Sequence, residues 1–331
     1  MDLTTALTRQ AGIELPIIGG PMYPCSNPEL VAAVSEAGGI GVLQPISLTY
    51  VHGHDYREGL RLIRRLTARP IGMNALIEAS SRIYHERMVR WVNGALEEGV
   101  RFFVTSLGNP RWVVDTVAPH GGIVYHDVTE RRWGDKARDG GVHGLIAVNA
   151  RAGGHSGSRP PEALFAELAP LGLPIVCAGG VGGPAEFVAA LRIGYAGVQM
   201  GTRFIATTEC TASDAYKRAI VAATADDVVH TERLSGVPLA VLNTPYVARI
   251  GTAIGPLARW LFRGRRTKKW IRSWYALRSL RSLRRTSIQG ADRADDPARA
   301  VWQAGKSVAT IDAIEPVQTI MTRFAAAART A

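Results

Sequence analysis

The chain has 331 residues, 47% hydrophobic and 20% charged, proportions of a folded globular protein that exclude a largely disordered one. Its formal net charge is +11, yet residues 257–285 hold eleven Lys and Arg and no acid, while the remaining 28 basic and 28 acidic side chains cancel. The basicity therefore belongs to one segment, and with no nucleic-acid-binding motif beside it no nucleic acid partner is expected.

Three cysteines, Cys25, Cys177 and Cys210, stand far apart with no CxxC pair. That spacing argues against a disulfide framework or a zinc site and for a reducing compartment. The opening MDLTTALTRQAGIELP has no basic start followed by an apolar run. Nor does any stretch of about 18 uncharged apolar residues occur. A cytoplasmic protein is expected.

Along residues 1–223, short apolar runs closed by Gly, Pro or Asn alternate with stretches of helical period. The runs are PIIGG (16–20), GIGVL (39–43), PIGMN (70–74), RFFVTS (101–106), GIVYH (122–126), GLIAVN (144–149), PIVCAGG (174–180) and AGVQMG (196–201). Two intervening helices carry clear punctuation. Asn27 is the expected cap and Pro28 the first turn of 27–38, stopped by Gly38; Pro184 and Gly194 bracket 183–194 in the same way. Eight strand–helix units predict an α/β fold, a TIM (β/α)8 barrel. An open doubly wound sheet would begin with GxGxxG after its first strand, and here GGPMYPCSNPEL follows instead.

After residue 223 the alternation stops. Residues 224–301 are expected to form a mostly helical, partly basic lid or substrate segment. Residues 302–331 read as a loop and a terminal helix packing back on the barrel. Within 257–285, Trp260, Trp270 and Trp274 interleave with arginines. Three readings stay open: contact with an anionic membrane surface, contact with an acidic partner such as an acyl carrier protein or a nucleotide, or a helical lid whose charges face water.

Barrel chemistry sits at the C-terminal ends of the strands. The sharpest signal is AGGVGG after strand seven and MGTRF after strand eight. Backbone N–H groups of Gly179, Gly180, Gly182 and Gly201, uncrowded by side chains, with the hydroxyl of Thr202, suit a phosphate dianion. Met22, Asn74 and the Gly153–Gly154 pair would line the mouth. Asn74 and Gln199 each offer a donor and an acceptor, which suits the edge of a flavin or another heteroaromatic ring. His155 titrates near neutrality and can accept a proton or steady an anion. Cys25 and Cys177 read as packed thiols.

These segments carry a resemblance. PIIGGPMYPCSNPELVAAVSEAGGIGVL, AGGHSG, IVCAGGVGGPAEFVAALRIGYAGVQMGTRFIATTE and the late WQAGKSVATIDAIEP together resemble the FMN-dependent nitronate monooxygenases, formerly 2-nitropropane dioxygenases. Their superfamily includes a flavin enoyl-acyl-carrier-protein reductase and an NADH:quinone reductase. The resemblance implies FMN at the barrel mouth, with the backbone of Met22 and the side chain of Asn74 near the isoalloxazine and Gly179, Gly180, Gly201 and Thr202 at the phosphate. His155 would be the active-site histidine, working on a nitronate or other small anion, with O2 or NAD(P)H as co-substrate. A homodimer is a family-level expectation. Departures are Gly20 where the family commonly has Ala, His126 and Asp127 at the rim after strand five, and Val148 and Arg151 ahead of the glycine pair. They alter the charge beside the flavin.

Overall fold

Each of the eight apolar runs becomes a strand in a computed structural model that describes residues 1–78, 81–254, 267–291 and 293–331. The strands are β1 Ile17–Gly19, β2 Ile40–Leu43, β3 Gly72–Ile77, β4 Phe102–Leu107, β5 Ile123–Val128, β6 Gly144–Val148, β7 Ile175–Ala178 and β8 Gly197–Met200. They pair in parallel in sequence order and close with β1 on β8; Ile18 stands opposite Ile40 on one side and Gln199 on the other. The fold is a TIM barrel.

Strand alternation sorts the side chains. Ile18, Val42, Phe102, Val104, Tyr125, Ile146 and Val176 fill the interior. Ile17, Leu43, Met73, Phe103, Val124, Leu145 and Val198 face the helices. Gly144 shows why a barrel strand begins with glycine: an added Cβ would lie 2.4 Å from Tyr125 Cζ. Tyr125 fills that space, tilts against Phe102 at 5.2 Å and donates its hydroxyl hydrogen to Gln10 Oε1 at 2.8 Å. Such a ring pair adds about 1 kcal/mol beyond its burial. Helix α1 (Ala6–Ala11) thereby plugs the N-terminal end with Leu7 and Ala11.

The outer helices are α2 (Pro28–Glu36), α3 (Tyr56–Leu66), α4 (Arg82–Glu97), α5 (Arg111–Val117), α6 (Arg131–Asp139), α7 (Pro161–Leu168) and α8 (Pro184–Ile193). Asn27 precedes α2 but makes no side-chain cap. Its amide donates instead to Glu29 Oε2 and Glu209 O and accepts from Thr211 N, tying the strand-one loop to the chain beyond strand eight.

After β8 come α9 (Thr202–Ile205) and α10 (Asp214–Ala222). The segment read as helical also contains a two-stranded antiparallel sheet, β9 (Val228–Thr231) with β10 (Leu239–Leu242), and then α11 (Pro245–Ile250). Trp260 lies outside the described residues. Helix α12 (Thr267–Ser287) buries Leu283 among Leu239, Val241, Val247 and Val301 and accepts the Tyr23 hydroxyl at Leu280 O, 3.2 Å. Trp274 and Leu277 on this helix are exposed. Trp302 stacks on Tyr216 at 5.5 Å. Helix α13 (Val317–Thr330) buries Val317, Ile320, Met321 and Phe324, with Phe324 against Phe187 of α8 at 5.6 Å. Among the described residues no helix is long and apolar enough to cross a membrane.

Candidate functional site

The alternation that fills the barrel also chooses what its mouth presents. Two residues beyond interior Ile18, Gly72, Tyr125 and Gly197 come Gly20, Asn74, Asp127 and Gln199, so these four face inward at the C-terminal end. Gly20 and Gln199 are in close contact, since a Cβ on Gly20 would lie 2.9 Å from Gln199 Cγ. Asn74 is buried and donates to Val104 O at 3.2 Å. It was expected to end a strand, but β3 runs on to Ile77. Gln199 Oε1 and Asp127 Oδ1 are out of solvent and have no hydrogen-bond partner. Such atoms are costly unless a ligand meets them. Burial raises the Asp127 carboxyl to about 7.

His126 does not share this face. It was read at the rim with Asp127, but it points to the outer side of β5, where Nδ1 lies 2.8 Å from Thr105 Oγ1. Burial lowers it to about 4. One residue of register separates the two side chains and puts them on opposite sides of the wall.

The loops after β6, β7 and β8 meet at one side of the mouth. Asn149, fully buried, clamps them: Nδ2 donates to Gly179 O at 3.0 Å and Oδ1 accepts from Arg151 N at 2.8 Å. Gly179 and Gly180 have φ of 114° and 84°, which a side chain would strain. Gly180 packs on the Arg151 stem, and Gly182 on Ser307 O and Thr310 Oγ1. Gly305 N donates to Thr202 Oγ1 at 3.0 Å, leaving the Thr202 hydroxyl hydrogen to donate. Among the described residues no protein acceptor takes the N–H of Gly179, Gly180, Val181, Gly182, Gly201, Thr202 or Arg203. Several of these residues are buried. Buried backbone donors are ordinarily paired, and a cluster of them is the backbone chemistry of an anion site.

Gly153 and Gly154 have a different reason for their size. A Cβ on Gly153 would lie 2.8 Å from Gly305 N, and one on Gly154 2.7 Å from Gln303 Oε1. The volume they clear is filled by the chain's own 303–305 segment. Gly154 also exchanges backbone hydrogen bonds with Ala240 of β10, and Ser156 Oγ lies 2.8 Å from His230 Nε2 of β9. The small sheet thus fixes the strand-six loop from above. His155, between these anchors, is exposed, yet desolvation by surrounding protein holds its pKa below the ordinary value. Met22 places its sulfur 3.3 Å from where a Gly201 Cβ would stand. Its N–H donates to Ser26 Oγ and its carbonyl accepts from Ser26 N, so the thioether is the part left to meet a ligand.

The nitronate monooxygenase family profile matches residues 4–326. The chain belongs to that family. It is an oxidoreductase and, as a member, a flavin enzyme. Curated relatives include the nitronate monooxygenase of Pseudomonas aeruginosa, 30% identical over 278 residues, 71% of this chain and 78% of that one. Another is the (3aS,4S,5R,7aS)-5-hydroxy-7a-methyl-1-oxo-octahydro-1H-indene-4-carboxyl-CoA dehydrogenase of Mycobacterium tuberculosis, 30% identical over 257 residues, 76% of this chain and 69% of that one. Among solved structures, FabK from Thermotoga maritima aligns with a TM-score of 0.79 at 27% identity, covering 99% of this chain and 96% of its own.

The residues present in this family member fit a flavin: the turns after strands seven and eight carry backbone donors without a protein acceptor, the chemistry of an anion site, and Gln199 Oε1 is a buried acceptor without a protein donor. Sequence alone points neither to Asn149 as a clamp nor to Gly305 as a partner of Thr202. A polar residue ending an apolar run was the available signal for Asn149. Nothing local signals Gly305, whose importance comes from a contact across 103 residues.

Proposed function

We propose that the protein is an FMN-dependent oxidoreductase acting on a small organic anion, with alkyl nitronates and O2 as its substrates. The observation that carries this reading is the cluster of unpaired backbone donors at residues 179–182 and 201–203 beside a mouth lined by Asn74, Gln199 and Asp127. In it, Gly179, Gly180, Gly182, Gly201 and Thr202 hold the phosphate, Asn74 and Gln199 meet the ring edge, and Met22 with the Gly153–Gly154 turn bounds the mouth. FMN, when bound, supplies the redox chemistry.

The chain supplies the rest. Desolvation lowers the His155 pKa from its ordinary value and so favours the neutral ring, whose free nitrogen can take the proton lost as a neutral nitroalkane becomes its nitronate. Arg151, exposed on the same loop, adds positive charge toward an anionic substrate. The strand pair β9–β10, bridged to Gly154, holds that loop still and limits water at the mouth. The Tyr23–Leu280 hydrogen bond supports α12 as a cover over the strand-one loop.

A second reading is supported by a specific observation. Two of the curated relatives, 30% and 29% identical, are named as dehydrogenases of a carboxyl-CoA. An acyl-CoA is likewise anionic and, unlike a nitronate, is itself a carbon acid, whose proton the same histidine would take. A third, NAD(P)H-dependent reduction of an enoyl thioester or quinone, uses the same mouth with a different donor.

Purified protein is inspected for bound flavin, then mixed anaerobically in separate samples with an alkyl nitronate, an acyl-CoA, and NADH or NADPH. Bleaching of the visible flavin band by the nitronate supports the first reading. Bleaching by the acyl-CoA or the nicotinamide, with none by nitronate, replaces it with the second or third. A protein that neither carries nor takes up FMN refutes all three.

A further inference from the structure

Asp127 has no role in the mechanism above, and its surroundings do not explain it. It is the fifth residue of β5, inward-facing two positions above Tyr125, the aromatic that fills the barrel. The side chain keeps some surface at the mouth, but Oδ1 is out of solvent and accepts from no group of the protein. Burial is the sole cause of its raised pKa; no charged side chain offsets it. Neighbouring β4 places Val104 and, level with Asp127, Ser106 on the same inner face, and β6 places Val148 there; none of the three carries a charge. Across the barrel stand Asn74 and Gln199, both neutral. Among the described residues, ionisable side chains at this end of the barrel include Glu78 just past β3, Glu130 just past β5, and Arg151 and His155 on the strand-six loop, and none of them shifts Asp127. His126, next in sequence, lies on the other side of the wall.

A carboxyl so placed is a donor in its neutral form and an uncompensated charge in its ionised form. The Asn74 amide, the acceptor Gln199 Oε1 and the Asp127 acid then share one mouth, with the Ser106 hydroxyl beside Asp127. They match a heteroaromatic edge on which ring N–H alternates with carbonyl oxygens.

We propose that Asp127 meets the ring of the bound heteroaromatic cofactor as a neutral acid, donating its carboxyl hydrogen to an acceptor on the ring's polar edge. This rests on the flavin reading above and extends it to a residue type unusual for a buried cofactor contact. Asp127 is thus a cofactor-positioning group whose ionisation weakens the complex. As pH rises through about 7 the donor is lost and a negative charge faces the acceptor.

The test is FMN titration of the full-length apoprotein, followed by flavin fluorescence, for wild type, Asp127→Asn and Asp127→Leu between about pH 6 and pH 8.5. Wild type should bind about fivefold or more weakly at the alkaline end. Asp127→Asn, which keeps an N–H donor and cannot ionise, should stay within about threefold of wild type at pH 6 and change little with pH. Asp127→Leu should bind about tenfold more weakly at pH 6, the loss of one hydrogen bond. If the leucine variant does not fold, the asparagine profile decides. Equal pH dependence in wild type and Asp127→Asn, a flat wild-type profile, or undiminished binding by Asp127→Leu overturns the proposal while FMN binding itself stands. Failure of wild type to bind FMN at any pH overturns the flavin reading, and this proposal with it.

Discussion

Replacing Gly179 with alanine tests whether the strand-six and strand-seven loops form one unit. The backbone at φ 114° costs an L-residue about 1–3 kcal/mol. The new Cβ would stand 2.5 Å from Ala152 N and 2.6 Å from Asn149 Oδ1. Neither neighbour is a flexible chain end: one is backbone, the other a fully buried clamp. Relief requires the 149–152 loop to move, which breaks the Asn149 bonds to Gly179 O and from Arg151 N, each worth about 1 kcal/mol. The expected destabilisation is about 3–5 kcal/mol, with FMN binding weakened tenfold or more as the donors at 179–182 shift. Gly172→Ala is the control, because φ there is 72° and nothing lies within 4 Å of the added carbon; strain alone should cost about 1–2 kcal/mol. Urea unfolding measures stability and FMN titration the site. Equal destabilisation by the two substitutions, or unchanged FMN affinity in Gly179→Ala, would refute the argument that the loops lock through this contact.

His155→Ala should lower turnover about 10²–10⁴-fold while FMN affinity stays within a few-fold. In wild type, the rate should rise with pH through a His155 pKa below 6.5, since the working base is the unprotonated ring, and the variant should lose that limb; steady-state pH profiles check both. Phe324→Ala removes a fully buried ring that packs on Phe187 and should cost about 3–5 kcal/mol by denaturant titration. Because α13 lies outside the mouth, the folded fraction of that variant should keep its affinity for FMN.

Sequence period carried the barrel because each strand answers to a local rule. Apolar runs five to seven residues long, closed by Gly, Pro or Asn, have only one place to go in a parallel βα chain, and all eight went there. The helix after 183 ended at Gly194, as its punctuation required. The rule failed where a contact outbid local grammar. Asn27 has the residue type of a cap, yet its amide is spent on residues 209 and 211. The β9–β10 pair was not separated from the helical segment because LAVL and VVHT are too short to declare a period. At the mouth the same distinction holds at finer grain. Gly179 and Gly180 were legible, since glycine clusters at strand ends mean unusual backbone wherever they occur. The Gly153–Gly154 pair was legible as small but not for its cause, which is a segment 150 residues away in the chain. Asp127 was visible as an unusual rim residue, and strand alternation assigned its face only once the register of Tyr125 was known. A one-residue uncertainty in that register exchanges His126 for Asp127, a basic ring for an acid, at the barrel mouth. The chemistry of this mouth therefore depends on strand register more than on motif. A change that slips β5 by one residue would alter the site more deeply than most substitutions within it.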